Sequence, residues 1–204
     1  GYLVFIPDVV FRKGEPGASS YDAVVSGVKS LIDRYDFIDK DRIALNGHSW
    51  GGYQIAFLVT RTNMFKAAVS GAPVVNMTSA YGGIRWESGK SRMFQYEQTQ
   101  SRIGGTLWDK PAEFIRNSPL FFLPQVQTPV LIMHNDKDGS VMWEQGIEFF
   151  MALRRLDKPV WLFNYKGEGH HLKKWENRLD YSRRVMEFYD YYLKDGKKPE
   201  WMKS

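Results

Sequence analysis

Apolar residues along this chain fall into two rhythms. Short unbroken runs alternate with longer stretches in which apolar positions recur every three or four residues. The runs at 2–6, 42–45, 65–71, 128–134 and 159–164 read as strands buried on both faces. Between them, Ala23, Val24, Gly27, Val28, Leu31 and Ile32 recur at helical spacing, as do residues 53–62 and the set Ile147, Phe150, Met151 and Leu153. A last amphipathic stretch, 174–193, keeps Val185, Phe188, Tyr189 and Tyr192 on one side. Polar or glycine-bearing breaks at 11–20, 36–41, 135–140 and 166–171 separate the elements. Strand and helix in alternation predict an α/β class with a mostly parallel sheet covered by helices on both faces.

The alternation fails between Ala72 and Ser118. That region holds Trp86, a predicted helix over 93–100, and three arginines, Arg85, Arg92 and Arg102. An excursion at the ligand end of an α/β sheet is a place where binding specificity resides. The chain otherwise reads as one domain, 1–204, without internal repeats. It opens inside a strand-like run and lacks an initiator Met, so the expectation is a C-terminal piece of something longer, incomplete at its N-terminus.

Composition narrows the classes. Hydrophobic residues at 43% and charged residues at 25% are ordinary for a globular protein. The net charge of +5 comes from scattered Lys and Arg, with no basic stripe for nucleic acid. No apolar run approaches the length of a membrane span. With no cysteines, disulfides and thiol catalysis are excluded, and the compartment stays open. Aromatics at 15% are frequent enough to line a cleft for peptides or sugars.

The chemistry is carried by Gly47-His48-Ser49-Trp50-Gly51, which sits between the run at 42–45 and the helical run at 53–62. Strand, Gly-x-Ser-x-Gly, helix is the arrangement of a nucleophile elbow. The turn is tight enough to strain Ser49 and to demand small residues at 47 and 51. The helix behind it offers backbone N–H groups, that of Trp50 first, to a developing oxyanion. A serine hydroxyl needs a base to take its proton, and the base needs a carboxylate to orient it. Asp136 and Asp138 follow the run at 128–134, and His170 and His171 follow the run at 159–164. Serine, acid and histidine thus arrive in α/β-hydrolase order at the ends of three strands. His48 and His134 read as structural.

Together these motifs resemble the prolyl oligopeptidase family of serine peptidases. Gly-His-Ser-Trp-Gly-Gly-Tyr at 47–53 is similar to its nucleophile motif, Asn117-Ser118-Pro119-Leu120 and 128–134 to its approach to the acid loop, and Gly167-Glu168-Gly169-His170 to its histidine motif. The resemblance implies an α/β-hydrolase fold, exo- or endopeptidase activity on a peptide substrate, and a β-propeller ahead of the catalytic domain. It implies Ser49, Asp138 and His170 as the catalytic residues, Trp50 N–H in the oxyanion hole, and no metal or organic cofactor. It also implies that position 171, usually Gly, is a bystander here, with His171 facing solvent or the last helix. Proline-cleaving members carry aromatics after the counterpart of Ala72-Pro73-Val74; Met77 and Ala80 stand here instead. The expected pocket is therefore lined by Val74, Met77 and Val141, without a stacked aromatic pair to grip proline. An esterase or other acyl hydrolase on the same scaffold, and a peptide-binding fragment without turnover, remain as alternatives.

Overall fold

The computed structural model describes residues 1–203. Four strands, β1 (Ala44–His48), β2 (Ala67–Gly71), β5 (Val130–Met133) and β6 (Val160–Phe163), form a parallel sheet in the order β1-β2-β5-β6. Every neighbouring pair is parallel and in register, from Ala44 opposite Ala67 through Met133 opposite Phe163. Parallel neighbours need crossovers. These are α2 (Trp50–Val59) between β1 and β2, and α6 (Trp143–Arg155) between β5 and β6.

The two-residue period of the strands divides the core. Leu45, Ala68, Val130 and Ile132 face one side, where they meet Val25 and Val28 of α1 (Pro16–Arg34), Ile55, Leu58 and Val59 of α2, and Phe149 and Leu153 of α6. Ala67, Val69 and Leu131 face the other, against Val185 and Phe188 of α7 (Trp175–Leu193). Both faces are covered, so these strands read as continuous apolar runs rather than as alternating ones. Burying a side chain such as Phe149 or Phe188, each at 0% exposure, contributes about 1.5–3 kcal/mol.

The strand expected at 2–6 is not formed. Leu3, Val4, Phe5 and Ile6 are exposed, and residues 2–6 pair with no strand among the described residues. An apolar run has strand propensity, but a strand exists only where a hydrogen-bonding neighbour lies alongside. Here the run is pinned by its ends instead. Tyr2 donates to Asp190 of α7 at 2.7 Å, and the Phe5 ring lies against Gly27 of α1.

The excursion between β2 and β5 builds a third apolar cluster on the outer side of α2, joining Tyr53 and Phe57 to Val74, Met77, Tyr81, Tyr96, Ile103 and Phe114. It contains α3 (Met77–Tyr81), a two-stranded hairpin of β3 (Ile84–Arg85) and β4 (Lys90–Ser91), α4 (Met93–Glu97) and α5 (Pro111–Arg116). A short 3-10 turn at Pro119–Gln125 leads into β5. The predicted helix over 93–100 stops at Glu97. The chain must turn there for Ser101 N–H to reach Gln95 and Ile103 N–H to reach Tyr96.

Candidate active site

The elbow is local stereochemistry first. Ser49 has φ 59° and ψ −117°, a region that costs a non-glycine residue on the order of 1–3 kcal/mol. It is held there by its N–H bonding Gly71 O at 2.8 Å and by its carbonyl accepting from Tyr53 N–H at 3.0 Å. Gly47 is required, because a Cβ would lie 2.6 Å from Gly51 O. The second close approach is not at Gly51, where an added Cβ would find nothing nearer than Gln54 Oε1 at 4.0 Å. It is at Gly52, whose Cβ would sit 2.2 Å from Gly71 O where α2 presses onto β2. Trp50 opens α2, so its N–H is one of the helix's donors without an intrahelical acceptor.

Two loops, at the carboxyl ends of β5 and β6, bring the remaining groups to Ser49 at the end of β1. His170 Nδ1 lies 2.8 Å from Asp138 Oδ2, and His170 Nε2 lies 2.8 Å from Ser49 Oγ. A carboxylate only accepts, so Nδ1 carries the ring proton and Nε2 offers its lone pair to the hydroxyl. Asp138 and His170 are 7% and 8% exposed. Asp136 is directed elsewhere, with its Oδ1 accepting from Gly167 N–H at 2.7 Å.

The acid loop and the histidine loop are laced together. Asn135 donates to Gly169 O at 2.8 Å and accepts from Tyr165 N–H at 3.1 Å, and Lys137 N–H bonds Glu168 O at 3.2 Å. Asp138 Oδ1 accepts from the N–H groups of Ser140 and Val141, both at 2.8 Å. Burial alone pushes the Asp138 carboxyl upward in pKa. The bonds from His134, His170 and Val141 N–H outweigh it, and the group is held well below the usual carboxylate range.

Two of these residues were not assigned this work by sequence. His134, fully buried, brings Nε2 to 3.3 Å from Asp138 Oδ2 and 3.1 Å from Val141 O. It is therefore a second imidazole on the same carboxylate rather than a bystander at a strand end. Glu168, buried between two glycines, accepts from the N–H groups of Lys173 and Lys174 and from Asn177 Nδ2 at 2.7–3.0 Å. It fixes the histidine loop to the start of α7, and the Lys173 N–H is the main reason its pKa is lowered. Glu168 stands seven residues ahead of the first residue of α7, too far along the chain for a capping pattern to have revealed it.

His171 is exposed as expected, but it does not turn to α7. Its ring lies 4.8 Å from that of His48 and 4.8 Å from that of His170. His48 has its pKa lowered to about 4, first by burial and then by the neighbouring histidines.

The expected pocket residues are brought together, but as core. Val74, Met77 and Val141 are 5%, 0% and 5% exposed, in the cluster beneath Trp50. Met77 has no face left for a ligand, because the side chains of the excursion close over it. One stacked aromatic pair lies next to Ser49: Trp50 and Tyr53 are 4.4 Å apart at 26°. Tyr53 is fully buried, so the pair offers at most one ring. The open space lies farther along the excursion, in a cleft of about 550 Å³ lined among others by Arg85, Lys90, Phe94, Gln95 and Arg102. Its walls touch the site at two points. Arg85 bonds Ser140 Oγ at 3.0 Å in the acid loop, and Arg102 lies over Phe11, whose ring is 6.1 Å from Trp50. Arg92 is not in this wall; it is 3% exposed, beneath it.

Comparison with known proteins bears on this geometry. The profile of the prolyl oligopeptidase family matches residues 11–196. The uncharacterized peptidase YuxL of Bacillus subtilis (strain 168) is 31% identical over 166 residues, covering 79% of this chain and 23% of that protein. The human acylamino-acid-releasing enzyme is 29% identical over 174 residues, covering 82% and 22%. The chain thus spans about a quarter of the length of these relatives. Among solved structures, the Pyrococcus horikoshii acylaminoacyl peptidase superposes with a TM-score of 0.80 at 20% identity, covering 94% of this chain and 30% of that one. A puromycin-hydrolyzing peptidase of Mycobacterium tuberculosis gives 0.76 at 24%, covering 89% and 26%. The fold is that of an α/β-hydrolase. A profile running from Phe11 almost to the end of the chain, over the strands and loops that converge on Ser49, places this chain in the prolyl oligopeptidase family.

Proposed function

We propose that this chain is the catalytic domain of a serine peptidase that cleaves peptide bonds through an acyl-enzyme. What carries the reading is the unbroken hydrogen-bond chain Asp138–His170–Ser49, with both links at 2.8 Å. Ser49 Oγ attacks the scissile carbonyl as His170 Nε2 takes its proton. The imidazolium so formed is stabilised by Asp138 and returns the proton to the leaving amine. A water molecule then repeats the sequence on the acyl-serine. The oxyanion is met by Trp50 N–H at the start of α2, where the helix dipole adds to the bond. His134 shares the carboxylate and keeps it aligned with His170.

The substrate side follows from the excursion. Val74, Met77 and Val141 act as backing that fixes Trp50 and the elbow, and the cleft with Arg85, Lys90 and Arg102 receives the peptide beyond the cut. Three cations along that wall favour an acidic side chain there. The test is hydrolysis of matched peptide and ester substrates by the wild-type chain and Ser49→Ala, with fluorophosphonate labelling of Ser49. Peptide turnover lost in Ser49→Ala supports a peptidase. Ester turnover alone moves the assignment to an acyl hydrolase, and neither labelling nor turnover leaves a peptide-binding domain.

A further inference from the structure

Next to the Ser49–His170 pair lies a cluster that acyl transfer does not use. One ring nitrogen from each of His48, His170 and His171 can be chosen so that all three lie within 4.8 Å of one another. The rings are mutually packed, with centroids 4.8–4.9 Å apart in all three pairs. His48 Nε2 is buried and has no hydrogen-bond partner among the described residues. Leaving such a group unpaired costs about 1–3 kcal/mol, so the arrangement holds an unmet demand at its centre. The protein contains four histidines and no cysteine, and the fourth, His134, is fully buried.

We propose that His48, His170 and His171 form a site for a borderline transition-metal dication, of which Zn²⁺ is the type, and that its occupation reversibly switches off Ser49. Imidazole donors select such ions over Mg²⁺ and Ca²⁺, which take oxygen ligands. Zn–N bonds of about 2.0–2.1 Å set tetrahedral nitrogens roughly 3.4 Å apart. The rings therefore have to close by little more than an ångström. His171 is free to do so, being exposed on a loop that turns at Gly167 (φ 81°).

The same groups explain why binding and catalysis exclude each other. Asp138 holds Nδ1 of His170, leaving Nε2 as its one free lone pair. A carboxylate behind a ligating imidazole orients the ring and raises its basicity, so Asp138 becomes the outer support of the metal. With Nε2 bonded to the ion, nothing accepts the Ser49 proton, and the hydroxyl stays protonated and inert. Binding is ligand exchange alone: five of the six waters of the hydrated ion leave, three nitrogens bind, and one water keeps the fourth tetrahedral position. Nothing is oxidised or reduced.

The inhibition rests on the proposed peptidase chemistry, whereas the binding does not, and the test separates them. The metal-stripped 204-residue chain is titrated with Co²⁺, with visible absorption as readout, and Zn²⁺ is then added. The expectation is tetrahedral ligand-field bands in wild type that Zn²⁺ abolishes and Mg²⁺ does not, and their loss in both His171→Ala and His171→Gln. In parallel, micromolar Zn²⁺ should suppress hydrolysis and EDTA restore it, while His171→Ala keeps its basal rate and needs at least about tenfold more Zn²⁺. Bands absent from wild type, bands unchanged in the His171 variants, or equal Zn²⁺ sensitivity in variant and wild type would each overturn the site. A chain without turnover would overturn only the peptidase reading, and the Co²⁺ titration would still decide this one.

Discussion

Two of the buried charged side chains, Asp138 and Arg92, are opposite in sign and are treated in opposite ways. Asp138 receives two backbone N–H bonds and a histidine at 2.8 Å each, with a second histidine at 3.3 Å. Arg92, in the excursion, is still more buried, yet its Nε and Nη1 have no hydrogen-bond partner, and no carboxylate among the described residues pairs with it. Its guanidinium lies 5.7 Å from the centre of the Tyr96 ring, a weaker form of compensation. The carboxylate belongs to loops fixed by the sheet. The arginine belongs to the excursion, which packs on the outer side of α2. The contrast is one between these two groups and not a gradient away from the strands, since His48 Nε2 on β1 and His134 Nδ1 just after β5 are also unpaired among the described residues.

The largest effect expected from breaking that contrast is at Asp138. Asp138→Ala should lower kcat by about 10⁴. It should also destabilise the fold by about 1–3 kcal/mol for each buried group left unpaired, seen as an earlier urea midpoint. A loss of rate with no shift in midpoint would show that the carboxylate anchors nothing. Arg92→Met should do the reverse, leaving stability unchanged or raising it by about 1–4 kcal/mol. A marked fall in melting temperature would mean that the guanidinium is satisfied after all.

Acid sensitivity sharpens the contrast further. His48 titrates at about 4 in the folded chain and near 6.5 in the unfolded one, so unfolding takes up a proton in between. Stability should therefore fall as pH drops from about 6.5 to 4, and His48→Gln should flatten that slope in pH-dependent urea titrations. The Asp138 contribution, from a depressed pKa, is present above the unfolded value of about 3.9 and lost only below it. The smallest effect is expected at His134. His134→Gln should reduce kcat about tenfold, the worth of one hydrogen bond, with KM unchanged. A loss as large as that of Asp138→Ala would make His134 more than an aligner.

How much of this was legible in the residues depends on whether the signal was local. The elbow was legible because Gly47, Ser49 and the flanking runs specify one backbone shape. Periodicity placed the acid and histidine loops after strands, while the choice of Asp138 over Asp136 and of His170 over His171 came from the family resemblance. His134 was not legible, since its bond to Asp138 depends on how a non-helical loop folds back. Residues 2–6 show the opposite failure. Their composition suits a strand, but pairing is a property of the neighbour and not of the run. Gly52 is instructive in the same way. The pattern drew the eye to Gly51, whereas the contact that forbids a side chain is with β2, distant in sequence. The excursion was recognisable as a break in rhythm, but its small hairpin and turns carry too few residues to have a period.

That excursion also bears on how the chain reaches its fold. β2 ends at Gly71 and its neighbour β5 begins at Val130, so one contact of the sheet waits on closing everything between. β1 and β2, and likewise β5 and β6, are joined by much shorter crossovers, so two half-sheets should form before they meet. The entropy of closing a loop grows only with the logarithm of its length, about 0.6 kcal/mol per doubling. The sheet is thus nearly indifferent to how long the excursion is. Its size is limited by what it must cover on α2, and the strands that position Ser49, Asp138 and His170 can carry excursions of very different length without losing their register.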